Sequence, residues 1–332
     1  MPKIYLSNGL EFNSVDGQTI LDAARQNNTA IEHSCRNGRC GVCVAPLLEG
    51  ETDAVIDEEF LGKSKGKVKV KDKTEGVNIL TCCRVAISDI YLDIEDLGII
   101  GSLPLLTLPC RIDSIKKLND DVVGIVLRLP PGRDFMFCAG QYIDLIHAGI
   151  RRSYSIANSP RTDGKLELQV KKVQGGVMSD HLFDQAAQND LLRLEGPLGT
   201  FSYREDESEN IVLLATGTGI APIKAMLEYF SEFRVKKNIY VVWGARRHAD
   251  LYLDTSTTGA KHKFIPVLSR EKREDIFCGY VQDAVLDLSL DLKNTTVYAC
   301  GSELMIRDAL TLLVKNGLAP SRFYSDAFLS SK

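Results

Sequence analysis

Cysteine thiolates are the clearest candidates for metal chemistry in this chain, and three of them fall within nine residues. Cys35, Cys40 and Cys43 form a C-x4-C-x2-C pattern, and a distant fourth cysteine is supplied by Cys82 or Cys83. Three thiolates from one loop and one from a second segment can hold the two irons of a [2Fe–2S] cluster, which carries single electrons. The spacing therefore predicts such a cluster.

Two other interpretations of these cysteines remain open. They could be buried or disulfide-bonded thiols, or they could bind zinc, although zinc sites usually combine paired C-x2-C units. Gly38 and Gly41 favour the cluster. Glycine permits the positive φ angles of a tightly curled loop and lets backbone N–H groups approach the sulfurs.

A second candidate site is the glycine-rich stretch Gly217-Thr218-Gly219-Ile220-Ala221-Pro222, between a predicted strand and a predicted helix. Its glycines allow close approach to the backbone, and the N–H groups of a helix N-terminus suit a pyrophosphate. The stretch departs from G-x-G-x-x-G because Pro222 replaces the third glycine, and no acidic residue closes the second strand at residues 243–247. An ordinary strand-to-helix connection is the alternative.

A third group of candidates lies between these two sites. Arg152-Ser153-Tyr154-Ser155 ends a predicted strand, and Gly175-Gly176-Val177-Met178-Ser179 opens a predicted helix. An arginine fork and a helix N-terminus both suit a diphosphate, while Tyr154 offers a flat face and Ser155 a hydroxyl donor. Taken singly, each residue could also be an ordinary part of its strand.

The elements that must position the cysteines form a small mixed sheet with one helix. The helix buries Ile20, Leu21 and Ala24, and a turn at Asp16 and Gly17 precedes it. The predicted elements are strands over residues 3–12, 42–48 and 85–94 and a helix over 18–27.

Six lysines alternate between Lys63 and Lys73. On a strand they would share one face. They predict either a solvated sheet edge that resists aggregation or a docking surface for an acidic partner.

Residues 97–109 form a charge-free stretch broken by Gly and Pro, which predicts a linker. The spacing of the apolar residues changes after it. Closely spaced short strands then indicate an antiparallel barrel or sandwich. These strands are predicted over residues 110–118, 122–129, 141–146, 152–157, 166–173 and 191–195, with one helix over 178–186.

From residue 209 onward, apolar strands alternate with amphipathic helices. Such alternation predicts a parallel α/β sheet with its site at the carboxyl ends of the strands. The predicted strands cover residues 211–215, 239–243, 264–268 and 297–300, and the helices cover 222–233, 281–286 and 304–316.

Composition narrows the functional classes. The net charge of −4 shows no basic excess, so nucleic acid is not an expected partner. The longest charge-free segments have 14 residues, too few to span a bilayer. Nine cysteines without an evident secretory signal predict a reducing compartment, the cytoplasm.

Together, these motifs resemble the ferredoxin-NADP reductase superfamily, preceded by a plant-type ferredoxin domain. The resemblance implies a multidomain α+β and α/β protein with [2Fe–2S], FAD and NADH as cofactors. Its parts would be a β-grasp ferredoxin domain (residues 1–95), a linker (96–109), an antiparallel β-barrel that binds FAD (110–205) and a parallel α/β domain that binds NAD(P)H (206–332).

The resemblance also assigns roles to individual residues. In ferredoxin domains the fourth ligand follows a pair such as Leu-Thr and lies seven residues before an aspartate, here Asp89, which implies Cys82. Ser155, Cys300 and Asp326 would lie at the reaction centre, with Asp326 where many relatives carry Glu; Cys300 could instead be a small buried hydrophobic residue. The implied cofactor-binding residues are Arg152, Ser153, Tyr154, Ser155, Gly176, Ser179, Gly217, Thr218, Gly219, Pro222, Cys300, Gly301 and Phe328.

Within the superfamily, four segments resemble the NADH-dependent reductases that serve a CDP-6-deoxyhexulose-3-dehydrase in 3,6-dideoxyhexose synthesis. These are residues 140–145, 152–158, 298–302 and 325–328. One departure is the basic stretch 268–273, where Ser269 and Arg270, with Arg246, could meet a 2′-phosphate. NADPH is therefore a second possible donor.

The predicted activity is that of an NAD(P)H-dependent electron-transfer reductase. Hydride passes to FAD, and single electrons pass through the cluster to a protein acceptor, either a dehydrase or the oxygenase component of a ring-hydroxylating dioxygenase or soluble monooxygenase. An electron subunit of the dihydroorotate dehydrogenase type is disfavoured, because only Cys278 and Cys300 follow residue 200. A cluster-bearing redox sensor without turnover is the alternative from another class.

Overall fold

The computed structural model describes residues 1–71, 76–98, 100, 103–161 and 163–328. The chain divides into two compact units, Met1–Leu103 and Pro104–Lys332. No helix among the described residues is long and apolar enough to cross a membrane. The predicted boundaries at residues 95, 109 and 205 stay predictions.

The first unit is built on a seven-stranded mixed sheet with the order β2-β1-β7-β3-β4, in which β5 and β6 also pair with β3. β1 pairs in parallel with β7, so the first and last strands of this unit lie side by side in the sheet. The strands are β1 (Lys3–Leu6), β2 (Glu11–Asn13), β3 (Val44–Ala54), β4 (Lys67–Val70), β5 (Val77–Leu80), β6 (Arg84–Ala86) and β7 (Ile90–Leu92).

One helix, α1 (Ile20–Gln26), packs on this sheet, as predicted. The Thr19 hydroxyl caps it by accepting a hydrogen bond from the Asp22 N–H at 3.1 Å. Ile20, Leu21 and Ala24 are buried in the same core as Ile4 and Ile90. This arrangement is the predicted β-grasp unit.

Three sequence predictions in this unit need correction. The strand predicted over 3–12 is a hairpin of β1 and β2, which pair antiparallel around a turn closed by the Leu6 N–H and the Leu10 carbonyl. The strand predicted over 85–94 is two strands, because Ile87 and Ser88 donate to the Glu51 carbonyl and turn the chain between β6 and β7. The lysine series forms a strand only over Lys67–Val70, where Lys67 and Lys69 both pair with Glu51. β4 ends the sheet, as the solvated-edge interpretation requires; Lys73 lies outside the described residues.

The second unit begins with a six-stranded antiparallel sheet in the order β11-β10-β13-β8-β9-β12. A bridge between Ile156 and Leu168 joins its two edges, which closes the sheet into a barrel. The strands are β8 (Leu106–Lys117), β9 (Val122–Arg128), β10 (Tyr142–His147), β11 (Ile150–Ser155), β12 (Lys165–Lys171) and β13 (Leu191–Leu198). β8 begins at Leu106, within the stretch predicted as a linker.

Helix α2 (Val177–Asp184) lies against β11 and buries Met178 and Leu182 in the barrel core. Gly176 is its N-cap, and the preceding Gly175 has a φ of +71°. The glycine pair therefore forms the sharp turn that sets the direction in which α2 begins.

The rest of the second unit is an all-parallel sheet in the order β17-β16-β15-β14-β18-β19. Its apolar central strands are buried on both faces, which is typical of parallel sheets covered by helices. The strands are β14 (Asn210–Thr216), β15 (Asn238–Ala245), β16 (Lys263–Leu268), β17 (Phe277–Cys278), β18 (Thr295–Ser302) and β19 (Phe323–Phe328), and the helices are α3 (Ile220–Glu232), α4 (Val281–Asp287) and α5 (Glu303–Lys315).

β17 and β19 were not predicted from the sequence. β19 is formed by the tail that carries Asp326, and it pairs in parallel with β18. The strand thereby places the tail at the carboxyl edge of the sheet.

Candidate cofactor and electron-transfer sites

The four predicted cluster ligands form two pairs of sulfurs. The Cys43 and Cys82 sulfurs are 3.2 Å apart, and the Cys35 sulfur accepts hydrogen bonds from the Cys40 thiol and, at 3.4 Å, from the Cys40 N–H. Among the described residues, no three His, Cys, Asp or Glu side chains are arranged as ligands of a single metal ion. Two pairs suit two irons, each held by two thiolates.

Glycine shapes the loop that carries three of these cysteines. Gly38 and Gly41 have φ angles of +82° and +77°. A Cβ at Gly38 would collide with the Asp57 carbonyl, and one at Gly41 would enter the Phe60 ring at 2.5 Å. The segment containing Asp57 and Phe60 therefore covers the loop at two points where only glycine fits.

Hydrogen bonding within the pairs shifts the thiol pKa values in opposite directions. A hydrogen bond from the Cys40 thiol lowers the pKa of Cys35, and a hydrogen bond from the Cys43 thiol lowers the pKa of Cys82. The same bonds raise the pKa values of Cys40 and Cys43. Each pair thus favours one thiolate, and binding of metal would remove the remaining protons.

Cys83 lies at the same centre as Cys82. It is fully buried, and its sulfur is 3.5 Å from the Cys82 sulfur and 3.9 Å from the Asp57 carbonyl oxygen. The Cys43 thiol donates a hydrogen bond to the Cys82 sulfur, which supports Cys82 as the fourth ligand. The assignment stays a prediction.

A buried ion pair that the sequence did not reveal anchors the fourth-ligand segment. Glu58 and Arg84 are joined at 2.7 Å with side chains 0% and 2% exposed. Glu58 also accepts the Leu80 N–H at 2.6 Å, two residues before Cys82, and Arg84 donates to the Gly66 carbonyl at 3.0 Å. The pair ties the covering segment to the strand that leads into Cys82.

On the barrel, β11 carries the four predicted flavin residues in different environments. Ser155 is buried, and its hydroxyl oxygen has no hydrogen-bond partner among the described residues. Burial raises the pKa of Tyr154 to about 12, so this residue stays neutral. Ser153 bonds to Asp144 at 2.5 Å, whereas Arg152 is exposed and donates to the Arg151 carbonyl. An unpaired buried hydroxyl is costly, so Ser155 fits a site that a flavin completes.

The N-terminus of α2 has a more specific geometry than the sequence indicated. The Ser179 hydroxyl donates to the Gly176 carbonyl at 2.8 Å and accepts the Val173 N–H at 3.2 Å. It therefore holds the glycine turn in place, and any contact with a diphosphate would come mainly from backbone N–H groups. Gly176 has no room for a side chain, since a Cβ there would lie 2.7 Å from the Ser179 oxygen.

The glycine turn and Cys300 lie together at the carboxyl edge of the parallel sheet. Residues Gly217–Gly219 form a 3-10 turn that leads directly into α3, with Pro222 in its first turn. A Cβ at Gly219 would collide with the Cys300 carbonyl, and one at Gly301 would collide with the Thr216 hydroxyl. These close approaches account for glycine at both positions.

The pairing of β18 with β19 brings two further predicted residues to this edge. Cys300 is opposite Asp326 in the register, and Ser302 is opposite Phe328. Burial, followed by the negative charge of Asp326, raises the pKa of Cys300, so its thiol stays protonated. Phe328 is partly exposed at 36%.

Arg246 and Arg270 lie next to each other at the ends of β15 and β16. The Arg270 N–H donates to the Arg246 carbonyl at 3.1 Å, and both side chains are exposed. Ser269 bonds to the Ala245 carbonyl. The two arginines therefore present positive charge at the carboxyl edge of the sheet.

Three family matches follow the order of these structural parts. The chain matches the 2Fe-2S iron-sulfur cluster binding domain over residues 4–86, the oxidoreductase FAD-binding domain over 109–203 and the oxidoreductase NAD-binding domain over 213–311. The chain belongs to the ferredoxin-NADP reductase superfamily, as an NAD(P)H-dependent iron–sulfur flavoprotein reductase that uses a [2Fe–2S] cluster, FAD and NAD(H).

Within that class, the chain is 42% identical to the CDP-6-deoxy-L-threo-D-glycero-4-hexulose-3-dehydrase reductase of Yersinia pestis, over 98% of this chain and 97% of that protein. It is 36% identical to Protein RfbI of Salmonella typhimurium over 99% and 96%. It is 30% identical to reductase component 1 of terephthalate 1,2-dioxygenase from Comamonas over 97% and 95%. Among solved structures, the Amycolatopsis cytochrome P450 reductase GcoB matches with a TM-score of 0.75 and 27% identity, over 99% of both chains.

Proposed function

We propose that this reductase passes electrons from NADH to a CDP-6-deoxy-L-threo-D-glycero-4-hexulose-3-dehydrase and so acts in 3,6-dideoxyhexose biosynthesis. The observation that carries this proposal is the 42% identity to the Yersinia pestis reductase, which extends over nearly all of both chains. It includes the cluster loop as well as the flavin and nucleotide parts.

When bound, FAD supplies the step between the two-electron chemistry of a hydride donor and the one-electron chemistry of the cluster. In this chain, the N–H groups at the start of α3 bind the pyrophosphate of the dinucleotide, with the turn held against Cys300. The Ser155 hydroxyl would donate to the flavin ring, and the neutral side chains of Tyr154 and Cys300 would lie beside it. Arg152 and the Gly176 backbone bind its diphosphate.

Electrons would leave the reductase from the cluster in the first unit, which Cys35, Cys40, Cys43 and Cys82 would hold. Their loop is kept in shape by Gly38 and Gly41 and by the segment that Glu58 anchors. A fixed ligand shell suits electron transfer, because ligand geometry and hydrogen bonds to sulfur set the potential. The reducing cytoplasm expected for this protein would keep these thiols available for iron.

The second candidate acceptor is an oxygenase component. It is favoured by the 30% identity to the terephthalate dioxygenase reductase of Comamonas, which also covers nearly the whole chain. The difference between 42% and 30% identity supports the dehydrase as the first choice.

Reconstitution tests the choice between the two acceptors. Purified reductase, loaded with FAD and cluster, is combined with NADH and either a CDP-hexulose dehydrase or the terephthalate oxygenase component. We expect NADH-dependent C-3 deoxygenation with the dehydrase and little turnover with the oxygenase. Turnover with the oxygenase alone would contradict the proposal, while reduction of ferricyanide by NADH confirms in either case that the reductase itself is intact.

A further inference from the structure

Trp243 is the one tryptophan of the chain, and it lies behind the glycine turn. It is fully buried on β15, between the β14 and β16 strands. Its indole N–H donates a hydrogen bond of 3.0 Å to the carbonyl oxygen of Gly217. The same carbonyl accepts the Ile220 N–H that closes the 3-10 turn.

The bond to Trp243 sets the direction of the next N–H group. A peptide unit is planar and trans, so its carbonyl and its N–H point in opposite directions. Because the Gly217 carbonyl points at the buried indole, the Thr218 N–H in the same peptide unit points away from it. A Cβ on Gly217 would meet no atom within 4 Å, so space is open beside the turn.

We propose that Trp243 is a positioning residue for dinucleotide binding, whose indole N–H holds the Gly217–Thr218 peptide with its N–H directed at the pyrophosphate. The inference rests on the proposed role of the Gly217–Gly219 turn. Trp243 does not touch the dinucleotide; it acts by preventing rotation of one peptide plane.

A second contact links Trp243 to the flavin barrel. The Tyr252 ring meets the indole edge to face, with centroids 5.2 Å apart and planes at 87°. The Tyr252 hydroxyl donates to the Gln169 side chain on barrel strand β12 at 2.8 Å. Trp243 therefore joins the turn to a residue that is itself fixed to the barrel, so the peptide is oriented relative to the flavin-binding part.

The single tryptophan allows the hydrogen bond to be removed without changing the packing. Expression in a tryptophan auxotroph with β-(3-benzothienyl)alanine replaces only position 243, and sulfur takes the place of the N–H in a ring of nearly the same shape. Trp243→Phe is a second variant that also lacks the donor. Thr218→Asp tests the turn itself, because a carboxylate there repels a pyrophosphate.

The measurements use holoenzyme: the Kd of NAD+ by calorimetry, KM and kcat for NADH with ferricyanide, FAD content and melting temperature. For the benzothienyl protein, we expect Kd and KM to rise about three- to tenfold, as for loss of one hydrogen bond, with kcat, FAD content and melting temperature nearly unchanged. For Thr218→Asp, we expect a larger rise in Kd.

The outcomes separate the positioning role from the site assignment. If Thr218→Asp weakens NAD+ binding and the benzothienyl protein binds normally, Trp243 serves packing alone and the inference is wrong, although the turn remains the site. If neither change alters Kd, the turn is not the dinucleotide site, and the inference fails with that assignment. Neither result depends on which protein accepts the electrons.

Discussion

The loop around Cys35 and the turn around Gly217 hold their ligands with different parts of the chain. The loop presents side-chain sulfurs, three of them within nine residues. The segment that covers it is anchored by the buried ion pair between Glu58 and Arg84. The turn presents backbone N–H groups, and its position depends on close backbone packing against Cys300 and on the indole of Trp243. Side-chain ligands leave a clear pattern in the sequence, whereas backbone binding leaves only glycines.

This difference also determines how each site should respond to mutation. The cluster loop depends on a few irreplaceable atoms, so single substitutions should remove its function entirely. The dinucleotide and flavin sites share their binding among many backbone and side-chain groups, so single substitutions there should have graded effects.

The largest effect is expected at the fourth cluster ligand. Cys82→Ser should abolish the visible absorption and the paramagnetic-resonance signal of the cluster, because one iron loses a thiolate. Cys83→Ser is the matched control and should retain both signals, with NADH-to-ferricyanide activity preserved in both variants. Loss of the cluster in Cys83→Ser but not in Cys82→Ser would reverse the ligand assignment.

The next effect concerns the buried ion pair. Glu58→Gln should destabilise the first unit by about 3 kcal/mol or more, because Arg84 is left charged and uncompensated in a buried position. Loss of cluster absorbance during urea unfolding measures the change. Glu58→Gln combined with Arg84→Met removes the uncompensated charge and keeps an acceptor for the Leu80 N–H, so it should recover much of the stability. A double variant no more stable than Glu58→Gln would argue against this account.

A smaller, graded effect is expected at the flavin. Ser155→Ala removes one hydroxyl donor, so the rate of flavin reduction by NADH in a stopped-flow instrument should fall about three- to tenfold, with FAD content unchanged. Ser208→Ala is a control, since that buried serine already bonds to Asp206. Equal rates in wild type and Ser155→Ala would show that the hydroxyl does not serve the flavin.

The smallest effect is expected at the exposed arginines. If they meet a 2′-phosphate, Arg270→Ala should lower kcat/KM for NADPH by up to about fivefold, as for an exposed ion pair, and should leave NADH nearly unaffected. Lys272→Ala removes a neighbouring charge and should have a smaller effect on the ratio of kcat/KM for NADPH to kcat/KM for NADH. A parallel loss with both nucleotides would mean that Arg270 does not recognise the 2′-phosphate.

The fold classes and the positions of both glycine-rich turns could be predicted because their signals are local, whereas the ligands assigned to those turns stay predictions. Strand and helix periods, the cysteine spacing and the Gly217–Gly219 turn each lie within a short stretch. The position of α1 and its buried face were likewise confirmed.

The remaining features depend on contacts between distant segments. The tail strand β19 forms by parallel pairing with β18, and no local pattern indicates that partner. Glu58 and Arg84 would be expected at the surface from their charge alone, because only the fold shows that they neutralise each other. The bond from the Ser179 hydroxyl to the Gly176 carbonyl is local instead, but residue type alone does not show whether that hydroxyl holds its own turn or a diphosphate.

The central claim is that electrons from NADH reach the cluster only through the flavin. Single-turnover stopped-flow mixing with NADH tests it by following flavin and cluster absorbance in wild type, in Cys82→Ser and in flavin-stripped protein. We predict flavin bleaching at equal rates in wild type and Cys82→Ser, cluster bleaching afterwards in wild type alone, and no change in the stripped protein. Cluster bleaching without flavin, or a wild-type cluster that NADH never reduces, would contradict the account.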